Sequence, residues 1–258
     1  MDEQAVTAMN PFAYSYDVVG HYLMPGYLTP ERVAALTTDL DRVGWGKSEF
    51  GETRRIEDLT ARSEVARSVA EEIFEADWLA TTMTYPHRMI ESYALERGRS
   101  GWLPWHGGAV ERLGRGGHPS AEDISTAYTV RSDRMYSMRV KALVYLDPVI
   151  DDEDGPLLYI EGSHKANFPF MRSFSTGPSA LKGYDHLVRR VRVSAGDLVV
   201  LNEAVVHGTR AKTSPARRRI AIFTFGPSFV RDWGELDRND TDLRRSGYVM
   251  VDTEDGHS

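Results

Sequence analysis

The chain is 258 residues long, 41% hydrophobic and 27% charged, the composition of a soluble globular protein with enough length to bury a sizeable core. Its 38 acidic and 31 basic side chains leave a net charge of -7, which argues against a nucleic-acid polymer as partner but allows a local basic pocket for a small anion. The absence of cysteine excludes disulfides, thiolate metal sites and cysteine nucleophiles, so histidine and carboxylate must carry any metal chemistry.

Residues 1–20 read as a loose arm. Met1-Asp2-Glu3-Gln4 lacks the regions of a signal peptide, and no apolar run approaches membrane-spanning length, so a cytoplasmic protein without a membrane partner is expected. Tyr22-Leu23-Met24 looks like a strand. Thr29-Pro30-Glu31 is a helix start, with a hydroxyl N-cap, a proline and an acid in the first turn. Val33, Leu36 and Leu40 give that helix one apolar face. A second helix is expected from about Ala61 to Trp78, with Val65, Val69, Ile73 and Phe74 at helical spacing.

From about residue 85 short β-prone runs between Gly, Pro and Asp turns take over: Met89–Tyr93, Met138–Leu146, Leu157–Ile160, Val191–Val193, Leu198–Leu201 and Arg219–Phe225. Strands at this frequency point to a sandwich or jelly roll rather than βαβ units. The polar stretch 111–135 reads as a long loop over a site. One domain is expected: a helical part at 1–84, a β core at 85–229 and a charged tail at 230–258.

Two histidines stand out. His106 ends the aromatic run Trp102-Leu103-Pro104-Trp105 before a Gly-Gly, and His207 ends the apolar run from Leu198 before Gly208-Thr209. Each alone is more often a hydrogen-bonded strand-end histidine than a ligand. Together they are compatible with one mouth of a barrel holding iron. Arg218 follows His207 by eleven residues. Strand alternation places it with Ile220, Ile222 and Thr224 on one face; if that face is inward, the guanidinium needs an anion, and a carboxylate fits its fork. The competing reading is a surface arginine in the run Arg217-Arg218-Arg219.

At these residues the chain resembles the phytanoyl-CoA dioxygenase family of iron(II)- and 2-oxoglutarate-dependent oxygenases. The resemblance runs from about Asp17 to Phe225. It is strongest in Val140–Asp147 and in Asp154–Lys165, with Glu161 where proline is usual. It implies a double-stranded β-helix (a cupin-like jelly roll) with flanking helices, Fe(II) and 2-oxoglutarate as cofactors, and a small-molecule substrate. It also implies His106 and His207 as metal ligands, and Arg218 with Thr209 as holders of 2-oxoglutarate. Lys141 and Arg139, if they face inward, would add anion contacts to the cofactor or substrate; an edge strand with solvated charges is the alternative. His164 and Lys165 read as a structural turn and His118 as a loop residue. Trp102 and Trp105 either wall the pocket or pack the core. Arg112, Arg115, Arg131 and Arg134 either favour an anionic substrate or are simply solvated.

The departure from the family pattern is Gly108, where His-x-Asp is usual. The iron facial triad is two histidines and one carboxylate, and glycine has no side-chain oxygen. In related halogenases a small residue here leaves a position for chloride, which favours halogenation of an aliphatic C–H bond. The alternatives are a hydroxylase that recruits a carboxylate from elsewhere, such as Glu111 or Asp123, or a catalytically silent β-barrel binding module.

Overall fold

The computed structural model describes residues 10–47, 52–107, 127–166, 183 and 185–230. The N-terminal part carries helices α1 (Pro11–Val19), α2 (Pro30–Val43), α3 (Leu59–Arg62), α4 (Glu64–Phe74) and α5 (Asp77–Thr82). It also carries strands β1 (His21–Met24), β2 (Gly46–Lys47) and β3 (Thr53–Glu57). Beyond it lie β4 (His87–Arg97), β5 (Leu103–His106), β6 (Tyr128–Arg131), β7 (Arg134–Ser137), β8 (Val140–Tyr145) and β9 (Leu157–Ile160). The last are β10 (Val188–Arg190), β11 (Leu198–Asn202), β12 (His207–Thr209) and β13 (Arg218–Pro227).

Two antiparallel sheets make the jelly roll. The larger has the order β1-β11-β8-β13-β4-β3-β2 and the smaller β10-β9-β12-β5, with β6-β7 as a separate hairpin. Alternation along the central strands sorts the side chains. Ala142, Val144, Leu198, Val200, Ala221, Phe223 and Phe225 face outward into a core shared with the helices. Leu143, Tyr145, Val199, Leu201, Ile220 and Ile222 face inward and meet Leu157 and Tyr159 of the smaller sheet. Arg218 therefore lies on the inward face, as the alternation required.

Within the expected loose arm of residues 1–20, the described residues from Asn10 form a helix. Asn10 accepts from the Ala13 amide at 3.2 Å and Pro11 opens α1, which stops at Gly20 with φ 88°. The single helix expected from Ala61 to Trp78 is three. Ser63 adopts extended backbone and caps α4 through the Ala66 amide at 2.9 Å, which breaks the chain of helical bonds before it. Glu75-Ala76 separates α4 from α5.

Part of the expected loop at 111–135 is the β6-β7 hairpin, turned by Ser132 and Asp133 with φ of 48° and 59°. That turn needs positive φ at both residues, and no glycine advertised it. The run Val191–Val193 makes only an isolated bridge, Val193 to Val149, while the strand forms just before it.

Candidate metal centre

His106 at the end of β5 and His207 at the start of β12 are cross-strand partners. Their ring centroids stand 4.0 Å apart, with 55° between the planes. Each ring is oriented the same way. His106 Nδ1 donates to the Pro104 carbonyl at 2.9 Å and His207 Nδ1 to the Val205 carbonyl at 2.7 Å. Both bonds fix the tautomer that leaves Nε2 with its lone pair, the arrangement that metal-binding imidazoles need. Burial pulls both pKa values down, His207 to about 3, against the opposing charge of Glu203. The two rings are thus neutral.

The local backbone permits this pairing at one costly point. Gly107 has φ 88°, and a Cβ there would lie 2.4 Å from the Val205 carbonyl oxygen. The chain leaving His106 presses directly on the turn that carries His207. Only glycine fits.

A third group was missed in the sequence. Glu203, 1% exposed, sits in the turn between β11 and β12. Its Oε2 pairs with Arg139. Its Oε1 stands 3.0 Å from Lys141 Nζ and 3.8 Å from His207 Nε2. The lysine lies off the hydrogen-bonding direction, so among the described residues Oε1 accepts no aligned hydrogen bond. Burial would raise this carboxyl, but the charges of Lys141 and Arg139 hold it well below the usual carboxylate range. Glu203 is therefore an anion.

Farther along the same inward face is a pole of positive charge. The three consecutive arginines differ. Arg217 binds Glu96 and Asp41, and Arg219 makes a bidentate pair with Asp147 at 2.6 and 2.8 Å. Arg218, 4% exposed, has no acid partner among the described residues, and its Nε is buried without an acceptor. Its strand partner Arg97 is buried too, with only neutral acceptors: Ser100 Oγ at 2.7 Å and the carbonyls of Gly101 and Arg210. Burial and the adjacent Arg218 depress the Arg97 guanidinium. Two buried guanidiniums without a carboxylate form a receptor for an anion.

The sequence profile of the phytanoyl-CoA dioxygenase (PhyH) family matches residues 16–220. The chain belongs to that family. Among solved structures, HygX from Streptomyces hygroscopicus with nickel and 2-oxoglutarate bound is 33% identical; the alignment covers 94% of this chain and 96% of HygX, with a TM-score of 0.78. HygX with iron bound is 34% identical, covering 93% and 95%, at a TM-score of 0.74. The nogalamycin-biosynthesis epimerase SnoN is 18% identical over 84% and 82% at a TM-score of 0.61, a likeness of fold. No curated protein sequence matches the chain.

Within the PhyH fold the remaining sequence-selected residues fall as follows. Thr209 shares its strand face with His207 and is buried. Lys141 lies on β8, which is central and not an edge, so its solvated alternative is removed. The anion it meets is Glu203, from the chain itself. His164 is fully buried and bonds the Asp17 carbonyl at 2.7 Å, while Lys165 pairs with Asp17 at 2.7 Å; the turn ties down α1.

Trp105 packs with Leu158, Ile160 and Val206 behind the smaller sheet, with Trp102 against them, away from the face that carries the histidines. Arg131 and Arg134 are exposed at the hairpin tip. Gly108, Glu111, Arg112, Arg115, His118 and Asp123 lie outside the described residues, as does the tail expected at 230–258 except its first residue. Among the described residues no three His, Asp or Glu side chains stand together so as to hold a metal ion, and no helix is long and apolar enough to cross a membrane.

Proposed function

We propose that this PhyH-family protein is an Fe(II)- and 2-oxoglutarate-dependent enzyme that oxidises an aliphatic C–H bond of a small molecule. The donor set fits the metal: two neutral imidazoles with Nε2 free on one side, within reach of a buried carboxylate. His106 and His207 hold iron in this reading. Arg218 takes the distal carboxylate of 2-oxoglutarate, with the Thr209 hydroxyl beside it. Lys141 offers a second cation at the metal end. Bound iron and 2-oxoglutarate together supply the oxidising power, drawn from dioxygen. The protein's part is to orient the imidazoles, neutralise the 2-oxo acid and keep water from the cleft.

The observation that carries the reading is Arg218, a buried guanidinium on the inward face of β13 with no acid partner among the described residues. HygX, a third identical, has nickel and 2-oxoglutarate bound in one structure and hygromycin B as well in another, which supports a small-molecule substrate here. Chlorination rested on an uncompensated positive charge at the metal. In this reading Glu203, with Oε1 3.8 Å from His207 Nε2, brings a carboxylate near that place, which favours oxygenation over halide transfer.

An anaerobic titration with Fe(II) and 2-oxoglutarate, followed by the weak visible charge-transfer band, tests both parts. The expected result is a band that chloride leaves unmoved, with succinate formed when air is admitted. A chloride-shifted band would restore the halogenase reading. No band, and no succinate, would leave a silent binding module.

A further inference from the structure

We infer that Glu203 is the third protein ligand of the iron, bound through Oε1, in place of the carboxylate that Gly108 cannot supply. The inference rests on the iron reading above and names a residue in it. Two donors on one ion, each about 2.1 Å from it, stand no more than about 4.2 Å apart. Glu203 Oε1 and His207 Nε2 are 3.8 Å apart, so one ion can touch both with little movement.

The two oxygens of Glu203 have different surroundings. Oε2 is held by Arg139, which anchors the carboxylate. Oε1 faces the imidazole and has only the off-line Lys141 ammonium beside it. One oxygen can stay on Arg139 while the other binds metal, the way outer partners commonly orient a ligating carboxylate.

Charge points the same way. The imidazoles bring none, and a buried divalent cation beside Arg139 and Lys141 would otherwise meet only positive neighbours. The backbone also supports it: the turn that brings Glu203 in is closed by the Val205 amide on the Asn202 carbonyl at 3.0 Å and by Asn202 Oδ1 on the Ala204 amide at 2.9 Å. Acid and imidazole thus ride on one rigid loop, four residues apart.

The test is Fe(II) affinity, measured anaerobically by competition with a chromophoric chelator, without 2-oxoglutarate or turnover. Glu203→Ala and Glu203→Gln are expected to weaken Fe(II) binding by about tenfold to a hundredfold. Added formate should recover much of the loss in Glu203→Ala, because a small carboxylate can enter the vacated place. A purely structural glutamate would not be rescued.

Should these variants fail to fold, Glu203→Asp keeps the charge for Arg139 and Lys141 but withdraws the oxygen by one methylene. It should bind Fe(II) more weakly while melting close to wild type. Folded variants with unchanged Fe(II) affinity overturn the inference, as does weakening that formate does not reverse. His106→Ala and His207→Ala separate the two levels. If they lose Fe(II) and the Glu203 variants do not, only the third ligand is wrong; if they bind as wild type, the iron reading itself fails.

Discussion

Arg218 is a residue whose burial works against the empty protein. A guanidinium out of water without a carboxylate carries a desolvation cost that its neighbours, Arg97 and the Tyr145 ring 6.0 Å away, do not offset. Arg218→Met is therefore expected to stabilise the ligand-free protein by about 1–3 kcal/mol, while lowering 2-oxoglutarate affinity by about tenfold or more. Thermal melts and calorimetric titration of the same variant read the two opposite signs. At this scale the sequence was informative where a residue type is unusual for its place. His106 and His207 end apolar runs, and Arg218 alternates with isoleucines. Glu203 was hidden because it lies in Leu198–Val206, which reads as one continuous strand; the turn after Asn202 breaks the alternation that would have shown an acid pointing inward. The available signal was an ionisable residue four places before His207 inside an apolar run.

Among the elements, α4 depends on a cap that the periodicity of its apolar face concealed. Ser63 accepts from the Ala66 amide and donates to Asp39 on α2, so one hydroxyl both starts the helix and docks it on its neighbour. Ser63→Ala should destabilise the fold by about 1–2 kcal/mol, read as a lower urea midpoint with an unchanged slope. The strands were easier to read than the helices because β-branched and aromatic runs bounded by Gly and Asp mark them directly. The hairpin turn at Ser132-Asp133 was not legible, since serine seldom adopts positive φ and neither position is the glycine that marks such turns. β3 was missed for another reason. Thr53-Arg54-Arg55-Ile56-Glu57 is mostly polar, and it is held as a strand by pairing along β4 and by the salt bridges of Arg54 and Arg55.

For the whole molecule, the jelly roll was legible as a class, but its strand order was not. Nothing in the spacing of the strands says that β1 should border β11 at the edge of the larger sheet. His21 on β1 shows what that border involves. Its ring lies 4.3 Å from Tyr159 of the opposite sheet, its Nδ1 is buried without a partner among the described residues, and burial pulls its pKa from 6.5 to about 4. The unfolded chain takes up this proton first, so stability present above about pH 6.5 is lost as the pH falls toward 4. His21→Phe should flatten that part of the melting-temperature profile, and an unchanged profile would place the acid sensitivity elsewhere.

The β1–β11 pairing has a consequence for how the protein is made. His21 meets Leu201, and Arg97 meets Arg218, so nearly the whole chain must be synthesised before either seam can form. Partners so distant in sequence fold slowly because loop closure precedes the reward of contact. On the ribosome His106 emerges roughly a hundred residues ahead of His207, at about 5–20 residues per second, and waits exposed for several seconds. The pairing of His106 with His207 is thus among the last to form, and it needs a chain complete through β12.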